Sequence, residues 1–205
     1  MQKKEILKIE ITVTQELDKI RDYFKSLNKN NIDSKKLAEK INNELPARID
    51  YLDGVIRTTT ISLLETDAMN TIEIWKDIDK NKFYNADIEK KISSPIKSNL
   101  FEKYNSNLIR NSFWGSVVFI VGLTSVVGFS FKLNFLLSLF ISAILIIASK
   151  FITPNILNPH EKRKILQYLE KYLSEVSINY HTQISSISKE YYTIFNKIVQ
   201  EAGEE

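Results

Sequence analysis

The sequence predicts an all-α protein: an antiparallel bundle of long helices with a two-helix transmembrane hairpin inserted before the last long helix. Three observations carry that expectation. Only 5 Gly and 4 Pro in 205 residues leave room for few turns, which favours long helices over many short strands. Two adjoining stretches, 111–131 and 133–149, carry no charge, although 26% of the whole chain is charged. Outside those stretches, apolar residues recur at steps of three and four, the spacing that lines one face of a helix.

At the N-terminus, Ile6, Val13, Leu17, Ile20, Phe24 and Leu27 mark a first amphipathic helix. Asn28 to Asp33 reads as a polar turn, after which Asp33 or Ser34 caps a short helix bearing Leu37, Ile41 and Leu45. Pro46 follows and predicts a break, with a long helix over 47–80 through Ile49, Leu52, Ile56, Leu63, Ile72 and Trp75. Asn81 to Asn85 reads as a turn. Ile88, Ile92, Ile96, Leu100, Tyr104 and Leu108 then recur at steps of four and predict a helix leading into the apolar stretch, with Pro95 marking a start or kink near Ser93-Ser94.

The charge-free stretches hold 21 and 17 residues on either side of Lys132. At the rise of an α-helix they cover roughly 31 Å and 25 Å, against a hydrocarbon core of about 30 Å. The second reaches full span if Lys132 and Lys150 extend their ammonium groups toward the headgroups. Phe113, Trp114 and Phe151 stand where interfacial aromatic anchors belong. Because Lys132-Leu133-Asn134 is too short for anything except a tight reversal, the two spans form a hairpin. Lys91, Lys97, Lys103 and Arg110 precede it and Lys150, Lys162, Arg163, Lys164 and Lys171 follow it, against Lys132 alone in the turn. That asymmetry predicts two spans with both termini in the cytoplasm. A hairpin buried in a soluble core, or one concealed within a helical bundle until it meets a membrane, remains an alternative placement.

Inside the spans, Gly115, Gly122 and Ser125 fall near one face of the first, and Ser138, Ser142 and Ser149 near one face of the second. Small residues let helices approach closely in lipid, either within the hairpin or between neighbouring copies. No Asp, Glu, His or Arg lies within either span, so a proton relay, voltage sensor or charged filter is not expected; any pore would be lined by Ser, Thr, Gly and apolar surface.

Pro154 and Pro159 predict the end of the second span's helix and the start of a last one. Its apolar stripe reads Ile165, Leu169, Tyr172, Val176, Tyr180, Ile184, Ile187, Tyr191, Ile194 and Ile198, a mean step of about 3.7 residues that favours a straight or slightly right-handed pairing. Such a stripe needs a partner. The chain thus divides into an N-terminal cytosolic bundle (1–110), the hairpin (111–152) and a C-terminal helix packing on the bundle (153–205).

Little chemistry is expected. Without Cys there is no disulfide, thiolate nucleophile or thiolate metal site. Glycine-rich phosphate loops are missing. His160 and His181 lie too far apart on one helix to share a metal, and Ser185, Ser186 and Ser188 lack a nearby His and acid. Glu65 and Asp67 read as solvated charge, and Arg57-Thr58-Thr59-Thr60 as helix surface. Neither an enzyme nor a cofactor is expected, and a net charge of +3 is too small for a nucleic-acid surface. The expected partners are the lipid bilayer, further copies of the chain and a possible protein docked on the cytosolic bundle.

From Asn111 to Ile198, a hairpin followed by a long helix resembles in plan the bacterial two-transmembrane effectors called SLATT proteins. That resemblance implies a role in phage defence or programmed growth arrest through membrane damage. The plan is also similar to α-helical pore-forming toxins, whose hydrophobic hairpin sits between long helices. A membrane scaffold, with the hairpin only an anchor, is the other function class compatible with the pattern.

Overall fold

The computed structural model describes residues 2–29, 32–73, 77–98, 100–105, 108–130 and 135–203. Among these the chain forms six helices and no strand, so the fold is all-α. They are α1 (Gln2–Lys29), α2 (Ser34–Ile72), α3 (Asp77–Asn85), α4 (Ile88–Lys91), α5 (Leu108–Ser130) and α6 (Phe135–Gly203). The residues gather into two compact units, one built from Met1–Tyr23, Asn43–Glu102 and Glu170–Glu205, the other from Phe24–Asn42 and Lys103–Leu169.

In the first unit, α1 buries Ile9, Val13, Leu17 and Ile20, α2 buries Leu45, Ile49, Leu52, Ile56, Leu64 and Ala68, and α6 buries Tyr172, Val176, Tyr180, Ile184, Ile187, Tyr191 and Ile198. Each fully buried aliphatic side chain contributes about 1.5–3 kcal/mol, which is what holds such long helices together. Polar contacts at the edge of this core set the register. Glu10 meets His181 at 3.2 Å and Glu170 meets Arg21 at 2.7 Å, so α1 and α6 run in opposite senses. Asp53 accepts from Tyr180 at 2.6 Å and Asp67 from Tyr192 at 2.5 Å, so α2 and α6 progress in the same sense.

Several local expectations are corrected here. Helix α2 continues through Pro46. An interior proline costs roughly 3 kcal/mol, and the buried Ile41, Leu45, Ile49 and Leu52 at steps of four, four and three keep one apolar stripe continuous across it. Residues 81–85 belong to α3 rather than a turn, because Phe83 is buried edge-on against Phe195, ring centroids 5.8 Å apart. Ile194 of the predicted stripe is only half-buried, and Phe195 takes the inward position. Leu64 likewise is buried where Leu63 was expected to lead. Asp67 is not solvated: it is 7% exposed and holds the Tyr192 hydroxyl. Thr60 is fully buried instead of on the surface. The predicted core residue Trp75 lies outside the described residues.

The largest departure follows α4. Only Ile88–Lys91 is helical, entered through Asp87 in the left-handed conformation (φ 45°, ψ 58°). Residues 92–98 then form no helix and make a strap that leaves α4 with Ile92 in the extended conformation (φ −74°, ψ 112°). Pro95 lacks an N–H and disfavours helical geometry at Ser94, so the helix cannot run on. In place of helical hydrogen bonds, side chains satisfy the strap's backbone. Glu190 accepts from the N–H groups of Ser93 (2.9 Å) and Ser94 (3.1 Å), and Arg57 donates to the Ser94 carbonyl (2.9 Å). Gln183 and Asn179 hold Lys97, and Asp53 accepts from the Ser98 N–H at 3.1 Å. Ile92 and Ile96, four positions apart in the strap, are buried, whereas Leu100, expected on the same helical stripe, is 96% exposed.

In the second unit, Phe24, Leu37, Ala38, Ile41, Ile165 and Leu169 form the core. Asp33 caps α2 as expected, its Oδ1 accepting from the Lys36 N–H at 2.7 Å. Asn158 Oδ1 accepts from the Ser34 N–H at 2.6 Å, so α6 satisfies a second terminal donor of α2. Asn42 grips the main chain of Tyr104 on both sides, N–H to Oδ1 at 2.8 Å and Nδ2 to the carbonyl at 2.9 Å, while the Tyr104 ring rests against Tyr168. Burial and the nearby Glu161 charge push the Tyr104 hydroxyl pKa up. The predicted break at Pro154 and Pro159 does not occur; both lie inside α6. Each removes one N–H from the helical ladder without ending it, and Asn158 between them is anchored on Ser34.

Candidate membrane hairpin

The second unit also contains α5 and the first part of α6, which among the described residues are the two helices long and apolar enough to cross a membrane. Their most apolar stretches are only 11% and 6% buried. Val118, Phe119, Val126, Phe129, Leu136, Phe140 and Ile147 are each at least 60% exposed. A helix apolar on every side and uncovered in its own fold lacks the burial that would stabilise it in water.

What the two spans do share is polar and small. Thr124 Oγ1 and Ser142 Oγ lie 2.6 Å apart and are buried, at 8% and 9% exposure. Ser138 Oγ donates to the Thr124 carbonyl at 3.2 Å. Gly128 faces Ser138 so closely that a Cβ there would come within 3.0 Å of its Oγ. Both facing pairs, 124 with 142 and 128 with 138, are symmetric about position 133, which is the register of an antiparallel hairpin. In a medium without water, such hydroxyls are best placed bonded to one another or to helix carbonyls, and they are.

Of the small residues singled out from sequence, Ser138 and Ser142 stand at this contact. Ser149 bonds within its own helix, to the Ile146 carbonyl at 2.9 Å. Ser125 is exposed and bonds to the Val121 carbonyl at 2.7 Å. Gly115 and Gly122 are exposed, with open space where a Cβ would stand, so they take no part in the contact between the spans of one chain. Thr124 and Gly128 were missed. Pairing the spans about their reversal, rather than seeking small residues on each span separately, would have found them. Val121, Ser125, Gly128, Ser138, Ser142 and Ile146 line a groove of about 540 Å³ along one side of the pair.

The aromatic anchors cluster at the open end of the hairpin. Trp114 (61%) and Phe151 (68%) are exposed, and Phe113 packs edge-on against Trp114 at 5.8 Å. Lys150 is exposed beside Phe151. Lys132 lies outside the described residues. Among the described residues no group of three His, Asp or Glu is placed to hold a metal.

The fold and the hairpin define a class, an all-α protein with two helices able to span a bilayer. No family model matches the chain, and no curated protein or solved structure matches it either.

Proposed function

We propose that the chain is a membrane-embedded helical effector whose two-span hairpin self-associates and perturbs the bilayer, with both termini in the cytoplasm. The observation that carries this reading is the near-complete exposure of the apolar stretches of α5 and α6, 11% and 6% buried. Burying that surface in hydrocarbon is favourable at roughly 25 cal/mol per Å². Gly115 and Gly122, uncovered along α5, offer the close approach that helices of neighbouring copies use in lipid.

A specific observation favours the other class, a membrane-anchored scaffold. The hydroxyls of Thr124 and Ser142 bond to each other within the chain and are buried, at 8% and 9% exposure. A hairpin so closed on itself serves as an anchor without further contacts.

One experiment separates the two. The chain is expressed under an inducible promoter, membranes are washed with alkaline carbonate, and membrane potential is followed in intact cells. Both readings require the chain to resist the wash. Depolarisation with growth arrest supports the effector, and preserved potential supports the scaffold. Release by the wash removes both. Labelling from outside the cell should reach Asn134→Cys but not Ser185→Cys; equal labelling overturns the topology.

A further inference from the structure

We propose that the open end of the hairpin carries a binding site for the phosphate of an anionic glycerophospholipid, a proposal that rests on the membrane reading above and adds a lipid class to it. The site is a cavity of about 550 Å³ in the second unit, within the size range of small-molecule sites. Lys35, Arg110 and Lys150 bring three cations to its walls, and Ile109, Phe113 and Pro154 supply the apolar part. None of the residues lining it is acidic.

The cations are poorly neutralised within the chain. Lys35 meets Glu39 only at 4.0 Å, on the exposed surface of α2. Among the described residues, no carboxylate lies within salt-bridge distance of Arg110 or Lys150. Arg110 stands in the first turn of α5, and Lys150 where the apolar part of α6 ends, so both sit at the polar edge of the spans. The exposed rings of Trp114 and Phe151 are at the same level of the sequence, where interfacial aromatics gather. Of the first donors of α2 nearby, the N–H groups of Ser34 and Lys36 are already taken by Asn158 and Asp33, so the anion is held chiefly by side chains.

A cavity with a cationic rim and an apolar wall matches an amphiphile better than a free anion. The guanidinium of Arg110 suits a phosphate in bidentate fashion, and Lys150 adds a point charge. Phe113 and Ile109 then lie against the glycerol and the first acyl carbons. Free inorganic phosphate or glycerol phosphate would find the same cations but gain nothing from that wall.

The test uses the full chain, reconstituted in vesicles of phosphatidylcholine alone and of phosphatidylcholine with phosphatidylglycerol. Lipid retained per chain is counted by native mass spectrometry after gentle detergent extraction. The expected result is stable insertion in both vesicles and retention of one phosphatidylglycerol from the mixture. Arg110→Gln with Lys150→Gln should weaken that retention by roughly 25-fold, about fivefold for each charge removed. Lys162→Gln with Arg163→Gln, equally basic but outside the cavity, should leave it within about twofold, which a general surface attraction would not. Excess glycerol phosphate should not displace the lipid. Insertion without phosphatidylglycerol preference, or equal losses in the two double variants, overturns the site while the membrane reading stands. Displacement by glycerol phosphate at comparable concentration reassigns the cations to a soluble phosphate and overturns the lipid. Failure to insert into either vesicle removes both the site and the reading on which it rests. Circular dichroism of each variant, whose substituted side chains are surface groups, establishes that the helices are retained.

Discussion

Gln183 holds Lys97 by both of its main-chain polar groups: its Oε1 accepts from the Lys97 N–H at 2.8 Å, and its Nε2 donates to the Lys97 carbonyl at 2.7 Å. A side-chain amide thereby stands in for the neighbouring strand that an extended segment ordinarily requires. Asn42 treats Tyr104 in the same way in the other unit. Non-helical backbone is thus kept in an all-helical protein by complementary amides projecting from the helices.

From that geometry, Gln183→Ala should leave the Lys97 N–H without its partner and the Lys97 carbonyl with Asn179 alone, and destabilise the chain by about 0.5–1.5 kcal/mol. Gln183→Glu keeps the acceptor and loses the donor, so it should cost less than the alanine. Urea unfolding followed by circular dichroism gives the magnitudes. Amide exchange at Lys97 should accelerate in the alanine variant, and unchanged exchange there would falsify the proposed role of this amide.

How far the strap was legible depends on one numerical coincidence. Ile88, Ile92 and Ile96 recur every four residues, which suits a helix and equally suits an extended chain, where every second residue faces the core. The two conformations part at Leu100, 96% exposed, and at Pro95, whose missing N–H disfavours the helix. Nothing local reveals that Glu190, Gln183, Asn179 and Asp53 supply the missing hydrogen bonds, because these residues are between 45 and 97 positions away. The hairpin was legible for the opposite reason. An unbroken charge-free run is a local property and survives any tertiary arrangement. The prolines misled because local propensity predicts a break at Pro46, Pro154 and Pro159 whereas the helices run on; at Pro46 the apolar residues on both sides, Leu45 and Ile49, are buried.

Asp53 is the acceptor on which two segments converge. It takes the Tyr180 hydroxyl at 2.6 Å, the Ser98 N–H at 3.1 Å and the Ser98 hydroxyl at 3.3 Å. Burial first, then the bond to Asp53, pushes the Tyr180 pKa far up, so its hydroxyl stays a donor throughout the usable pH range. Tyr180→Phe removes only the oxygen from a fully buried ring and should cost about 1.5–3 kcal/mol, as expected for a hydrogen bond to a charged group. A loss within a few tenths of a kcal/mol in denaturant unfolding would remove Asp53 from this role.

Glu190 gives the fold a defined acid dependence. The Ser93 N–H first, and then further hydrogen bonds from Ser94 and Ser93, lower its pKa from 4.5 to about 2. A carboxylate held below its unfolded value stabilises the folded state above the unfolded pKa, and that contribution disappears as pH falls through the folded one. The stability difference between the native chain and Glu190→Gln should therefore be constant above about pH 5 and shrink between about 4.5 and about 2. Other carboxylates titrate alike in both chains and cancel. A difference that does not change with pH contradicts the assignment.

Insertion of the hairpin has its own test in Val118 and Ile144, exposed at 72% and 51% on the two spans. An aspartate near the middle of a span costs about 2.5–3.5 kcal/mol in membrane insertion. Val118→Asp with Ile144→Asp should shift the chain from the carbonate-resistant fraction to the soluble or aggregated one. The first unit, which contains neither residue, should keep its helical signal. Full membrane retention of the double variant would place these faces away from lipid.

The small residues of the hairpin divide into those that hold one chain together and those left over, and substitution separates them. Thr124→Val removes the 2.6 Å contact to Ser142 and should lower the stability of the reconstituted hairpin by about 1 kcal/mol. Ser142→Ala should cost about as much, and the double variant little more than either alone, because both report one bond. Gly128→Leu should cost more, since even its Cβ would stand 3.0 Å from Ser138 Oγ and the branched chain beyond has to part the spans. Gly115→Leu and Gly122→Leu meet open space within the chain, so thermal unfolding of the isolated chain in detergent should not change. If copies pack through these glycines, the same two substitutions reduce the oligomer seen by crosslinking in membranes. Loss of monomer stability on substituting Gly115 or Gly122 contradicts the register set by Thr124 with Ser142; unchanged crosslinking in both contradicts glycine-mediated self-association.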